Sequence, residues 1–179
     1  MKHFTSITLT LVLALILVVS PAMAAHTPEA LLKSIDHLAV EGGILNCEFQ
    51  LEDSFSDLTD EYGRPDRDNY VKSAHGNYAT FSRDAFVVGH TNQEQIFELR
   101  SYSRRLRTIT ERNVVEYFGE ADHQTTGNDQ RIVSYVLASG YHLKFVFDSK
   151  EGDAKLNHYN VIWMDGTENE RAGDHGRNW

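Results

Sequence analysis

The chain has a single cysteine in 179 residues, Cys47. An intramolecular disulfide is therefore excluded, and apolar burial has to hold the fold together. There are only three prolines, at positions 21, 28 and 65. Basic residues are scarce: 17 Lys and Arg stand against 26 Asp and Glu, for a formal charge of −9. Such a surface disfavours nucleic acid as a general partner. Eight of the nine histidines lie beyond the first 24 residues, yet none forms H-E-x-x-H or a close metal pair. G-x-S-x-G, a P-loop and a dinucleotide fingerprint are absent as well. Nothing in the pattern implies a metal or a cofactor.

The one long apolar run is at the start. Lys2 supplies a positive n-region, Ile7–Val19 is apolar apart from Thr, and Ala22-Met23-Ala24 is an A-x-A site. This predicts a secretory signal peptide over residues 1–24, cleaved after Ala24. The run is shorter than the roughly 20 residues that span a bilayer, so membrane contact is expected only before cleavage. No cysteine follows it directly, which leaves no mature N-terminal thiol for a lipid anchor. The expected address is secreted or cell envelope. What remains suits a single domain over residues 25–165. Gly166–Trp179 is polar and predicts a disordered tail.

Thr27-Pro28 opens a helix over 27–41, with Leu31, Leu32, Ile35 and Leu38 at helical spacing and Gly42-Gly43 as the stop. Two stretches then echo each other. In DLTDEYGRP (57–65) and NVVEYFGEA (113–121) a short helix ends at Gly63 or Gly119, 56 residues apart. Ser54 and Thr110 are matching N-caps, Leu58 matches Val114, and Tyr62 matches Phe118. Tyr135 falls within a residue of the position that matches Tyr78. Each glycine is read as a left-handed helix terminator. Strands are predicted at Asn77–Ser82, Ala85–Gly89 and Ile96–Tyr102, then at Tyr141–Phe147 and Tyr159–Trp163. Arg83-Asp84 and Ser139-Gly140 are the expected tight turns, and Asp66-Arg67-Asp68 reads as a charged turn. The predicted class is α+β: a tandem repeat of a helix plus three antiparallel strands, at about 50–102 and 106–164. The two copies can pair edge to edge or face to face into a sheet of about six strands with helices packed on one side, and the sequence does not decide whether both share one continuous sheet.

The succession GGILNCEF, LTDEYGRPD, GNYATFS, AFVVGH, QIFELRSY, RLRTIT, YHLKFVF and LNHYNVIW resembles the YjgB-like secreted proteins of Gram-positive bacteria. That family is a domain of unknown function. The resemblance runs over roughly Leu31–Trp163 and is most specific over Gly76–Thr110. More loosely, the repeat is similar to the tandem modules of β-lactamase inhibitory protein and of envelope assembly lipoproteins, which bind other proteins. The resemblance implies a fold and an exported address, and it carries over no catalytic residue.

Two features could bind something. Arg100, Arg104, Arg105, Arg107 and Arg112 cluster near the junction of the repeats, and guanidinium groups clamp carboxylates or phosphates. The plainer reading is a solvated connector whose arginines answer nearby acids, with Arg104 and Arg105 the candidates if it binds. Among the strand aromatics (Tyr70, Tyr78, Phe81, Phe86, Phe97, Tyr102), most read as core. Tyr78 and Tyr102 are the ones whose phenols suit a boundary. The resulting expectation is an exported, non-enzymatic binding protein, with a protein or an anionic wall polymer as partner. The alternative is a secreted hydrolase using Cys47 or a His–carboxylate pair, because such pairs meet only in the fold. Cys47 beside Leu45 and Phe49 otherwise reads as a small apolar residue.

Overall fold

The computed structural model describes residues 27–72, 76–91, 95–127, 129–148 and 154–163. The expected signal peptide and tail lie outside these. Helix α1 (Pro28–Val40) starts on Thr27, whose hydroxyl accepts the Ala30 N–H, and buries Leu31, Leu32, Ile35 and Ala39. Strands β1 (Gly43–Ile44) and β2 (Cys47–Gln50) form a small hairpin. The first copy follows, with α2 (Phe55–Tyr62), β3 (Arg67–Val71), β4 (Gly76–Phe81), β5 (Phe86–His90) and β6 (Ile96–Ser101). A 3-10 turn at Arg104–Thr108 leads into the second, with α3 (Glu111–Phe118), β7 (His123–Gly127), β8 (Gln130–Val136), β9 (His142–Phe147) and β10 (Leu156–Ile162). Among the described residues no helix is long and apolar enough to cross a membrane.

All eight strands of the two copies make one antiparallel sheet, ordered β3-β4-β5-β6-β10-β9-β8-β7. The α+β class agrees with the sequence reading, and the two copies pair edge to edge. Each copy carries one strand more than expected, because β3 and β7 are edge strands. RDNYV is almost wholly exposed, and HQTTG has no apolar residue, so neither shows the alternation that marks a half-buried strand. The two turns are also longer than predicted. Residues 82–85 separate the paired Phe81 and Phe86, and residues 137–141 separate Val136 and His142.

Equivalent hydrogen bonds recur in both copies. Ser54 and Thr110 each cap a helix and each bridge to the residue before the last strand, Gln95 or Lys155. The N–H of Ile96 donates to the Asp53 carbonyl as that of Leu156 does to Ile109. Asp66 accepts the Ser82 N–H and Asp122 the Val136 N–H, both at 2.7 Å. Asp66 thus anchors the start of β3 rather than decorating a turn. Gly63 and Gly119 do have positive φ, 81° and 86°, but with ψ of −171° and −160°. That is the extended, glycine-only region and not the left-handed helical one.

One row of paired residues crosses the sheet as Phe81, Phe86, Ser101, Tyr159, Phe145 and Val133. It faces the helices. Tyr62 of α2 meets Phe86 edge-on at 5.0 Å, and Phe118 of α3 lies 5.1 Å from Tyr135 and 5.4 Å from Phe145. The β1–β2 hairpin is held over the same face: Leu45 N–H donates to the Tyr159 hydroxyl at 2.7 Å, and Asn46 Nδ2 to the carbonyls of Asp84 and Ala85. Helices, hairpin and core therefore share one side, and the adjacent row of paired residues points away from them.

A Cβ at Gly63 or Gly119 would meet nothing within 4 Å, so substitution there strains only the backbone. Gly63→Ala and Gly119→Ala are each expected to cost about 1–3 kcal/mol in urea unfolding, and the two losses should add.

Candidate functional site

The copies meet where β6 pairs with β10, in the register Ser101–Tyr159, Arg100–Asn160, Leu99–Val161 and Glu98–Ile162. Tracing the ladders outward from there makes Arg100 and Asn160 equivalent positions of the two copies. A pseudo-two-fold axis therefore passes between them. On the helix-free face the ladders then match Glu98 with His158, Gly89 with Val146, and Tyr78 with Ile132. Both last strands carry a bulge at the same place, at Phe97 against β5 and at Asn157 against β9. Tyr135, by the same matching, corresponds to Phe81 and not to Tyr78.

The two halves of this face have filled differently. In the first copy the bulged Phe97 is fully buried and lies so close over Gly76 and Gly89 that an added Cβ would sit 2.7 and 2.8 Å from its ring. Tyr78 packs against it edge-on at 5.8 Å. In the second copy the matching positions are Asn157 and Ile132, which are smaller. A cavity of about 250 Å³ opens there, lined by Arg100, Tyr102, Gln130, Ile132, Lys144, Val146, His158 and Asn160.

The floor of the cavity is a polar network under very little solvent. Glu98 is fully buried. Its carboxylate accepts from Arg100 Nε at 2.6 Å and Nη2 at 3.1 Å, from the Tyr78 hydroxyl at 2.8 Å and from Asn160 Nδ2 at 3.0 Å. Burial pushes the Glu98 carboxyl up, but the Arg100 charge and hydrogen bonds, helped by Tyr78 and Lys144, outweigh it and hold the group below its usual range. The Arg100 guanidinium also lies 4.7 Å over the Tyr78 ring. Burial and the neighbouring Glu98 charge keep the Tyr78 phenol protonated well above its ordinary range.

Two acceptors belong to side chains that line the cavity. Because Asn160 Nδ2 is committed to Glu98, its Oδ1 is turned the other way, and this buried oxygen has no hydrogen-bond partner among the described residues. The second is His158. A relay sets its tautomer: Arg107 pairs with Asp148, Asp148 accepts from Asn157 Nδ2, and Asn157 Oδ1 lies 2.8 Å from His158 Nδ1. Since that oxygen only accepts, Nδ1 carries the proton and Nε2 is left bare. Burial, reinforced by the Arg100 charge, pulls the His158 pKa down to about 3, so the ring is neutral at ordinary pH. Tyr102, 37% exposed, stacks on it at 4.5 Å.

The residues singled out in the sequence divide accordingly. Arg100, Tyr78 and Tyr102 come together on the helix-free face. Arg107 reaches the same place through the relay. Arg104 and Arg105 stay exposed on the 3-10 turn, pinned by buried Leu106 between them and Arg107. Arg112 is exposed on α3. Of the other strand aromatics, Phe81 and Phe86 are core and Tyr70 is exposed. Sequence reasoning missed Glu98, Lys144, His158 and Asn160. Alternation along β9 puts His142, Lys144 and Val146 on one face, which ordinarily means solvent, yet all three are buried. Elsewhere, His90 contacts Asp68 through Nε2 at 3.1 Å and the Thr91 carbonyl through Nδ1 at 3.3 Å, and its ring stacks on Phe55. Both its nitrogens have partners, as a structural histidine's do.

A family model described as Domain of unknown function (DUF4309) matches residues 32–162. Among solved structures, the chain is similar to a DUF4309 family protein (YjgB) from Bacillus subtilis subsp. subtilis str. 168, with a TM-score of 0.61 and 17% identity, over 76% of this chain and 97% of that one. At that identity the likeness concerns the fold. A comparison with the curated proteins finds no match.

His158 makes the stability of this face pH-dependent. Its folded pKa lies below the ordinary value of 6.5, so the unfolded chain binds more protons between the two. Its contribution is complete above about pH 6.5 and is lost as pH falls towards 3. Between pH 7 and 5, above the carboxylate range, urea unfolding should show a loss of about 1–2 kcal/mol. His158→Gln should abolish that part of the slope.

Proposed function

Because this chain belongs to the DUF4309 family, a domain of unknown function, we propose from its own residues that it is an exported, non-enzymatic binding protein of the cell envelope or extracellular space. Its recognition surface is the helix-free face of the sheet around Tyr102, and its partner is a protein or a wall polymer. The observation that supports this is the asymmetry of that face. One copy plugs it with Phe97 and Tyr78, while the other leaves a lined cavity with a buried acceptor unmet. An unmet buried amide oxygen costs about 1–3 kcal/mol, which a bound donor would recover. Export is supported by the sequence of residues 1–24, with its charged start, apolar run and A-x-A site.

The surroundings of Cys47 weigh against the thiol form of the hydrolase reading. Burial, added to by Asp53 and Glu48, pushes the Cys47 thiol up to about 11, where thiolate is scarce at neutral pH. Cys47 should therefore resist iodoacetamide at pH 7.5 in the native protein and react once urea unfolds it. Rapid labelling of the folded protein would restore the thiol enzyme.

Binding is tested by immobilising the protein and passing over it the secreted and wall fractions of the producing cell. Tyr102→Ala and the double Arg104→Ala/Arg105→Ala variant run in parallel. The expected result is a partner held by the native protein and by the arginine variant and lost with Tyr102→Ala. The reverse pattern would move the site to the junction between the copies, and an empty column in every fraction would contradict a binding protein.

A further inference from the structure

The lining of the cavity restricts what can occupy it, and the choice of occupant rests on the binding function proposed for this face. Among the described residues that line it there are two cations, Arg100 and Lys144, and no carboxylate. Glu98 lies behind Arg100 and turns the lone pairs of its carboxylate towards Arg100, Tyr78 and Asn160. An occupant therefore meets positive charge first. The cations alone would suit any small anion. The acceptors narrow the choice: Asn160 Oδ1 and His158 Nε2 need hydrogen-bond donors, and a small anion brings none beyond the P–OH of a hydrogenphosphate. Ile132 and Val146 supply an apolar wall, and Tyr102 an exposed ring face at the rim.

A molecule that meets all three demands carries an anionic group, hydroxyls that donate, and a ring face with C–H groups to lie on an aromatic. We infer that the cavity takes one unit of an anionic sugar, with its carboxylate or phosphate towards Arg100 and Lys144, its hydroxyls donating to Asn160 and His158, and its ring against Tyr102. The volume agrees, since it falls below the roughly 300–1,000 Å³ of pockets for drug-sized ligands and leaves room for one such unit rather than for a chain of them. Asn160 sits at the pseudo-two-fold axis between the two cations, paired with Arg100 on one side and Lys144 on the other. A hydroxyl held there stands beside the anionic group, as it does on a sugar acid or a sugar phosphate. A neutral amide side chain at this position also separates two positive ones. His158, uncharged at ordinary pH, adds an acceptor without adding a third positive charge.

The test is a titration of the purified, isotope-labelled protein followed by amide chemical shifts, with four probes: glucuronate, glucose 6-phosphate, glucose and inorganic phosphate. At least one of the two anionic sugars should produce saturable shifts at amides of β8, β9 and β10 around Ile132, Lys144 and Asn160. The better of the two tells carboxylate from phosphate. Glucose and inorganic phosphate should each bind about tenfold more weakly, since one lacks the charge and the other the hydroxyl donors of a polyol. Tyr102→Ala, an exposed position, should weaken binding about three- to tenfold with an unchanged melting curve. Asn160→Ala should weaken the anionic sugars while affecting inorganic phosphate less. The inference is overturned if neither anionic sugar shifts those amides, if glucose binds as tightly as glucuronate, or if inorganic phosphate matches glucose 6-phosphate. If no sugar binds while the captured partner still depends on Tyr102, the surface stands and the ligand class is wrong. If both fail, the proposed binding function falls with it.

Discussion

The ladder between β6 and β10 is the constraint on which the remaining structure depends. Among the described residues it is the only strand pairing that joins the two copies, and it puts the last strand of each at the centre of the sheet. On one side it delivers Tyr159 to the middle of the core, where its hydroxyl also holds the β1–β2 hairpin. On the other it sets Glu98, Arg100 and Asn160 side by side. Burying a charged pair is expensive unless the remaining lone pairs are met. Here the carboxylate is met by three different side chains, so the charge is tolerated at the centre of the sheet with no helix over it. The seam thus both closes the fold and creates the polar patch.

Around that seam the copies have kept their frame and exchanged their fillings. Caps, helix-ending glycines, bridges and the aspartates that anchor β3 and β7 are the same in both. The exchanges that shape the cavity face away from the helices, where a change from Phe to Asn or from Tyr to Ile leaves the main core untouched. That separation explains how one half of the face could become a plug and the other a cavity without loss of the fold. It also explains why the 3-10 turn matters beyond connecting. Arg107 on that turn reaches Asp148, and through Asn157 it fixes which nitrogen of His158 faces the cavity.

Much of the frame was legible in the sequence because it is written locally. Ser54, Thr110, Gly63 and Gly119 announce helix ends by their chemistry, and the apolar strands announce themselves by alternation. The edge strands β3 and β7 were not legible, since they bury too little to need apolar residues. The site was legible only in part. Tyr78, Tyr102 and Arg100 stood out as residue types, but Asn160, His158 and Lys144 look like the polar side of ordinary half-exposed strands. Their burial follows from which strands become neighbours, and that pairing joins segments some 60 residues apart. Loops of unequal length between the copies add to the difficulty, because no constant offset aligns Ile132 with Tyr78.

The position of the axis has a consequence for the origin of the molecule. One copy alone would end in an unpaired strand at the rim of a four-stranded sheet, and two such chains could join through that strand about the same axis. Position 100 would then face its own twin. Arginine could not occupy it comfortably, because like charges directly opposite each other on neighbouring strands repel. Only when both copies share one chain can the axis carry two different residues, arginine on one side and asparagine on the other. The covalent link therefore does more than keep the halves together. It allows the centre of the sheet to be unlike on its two sides, which no symmetric pair of identical chains could achieve.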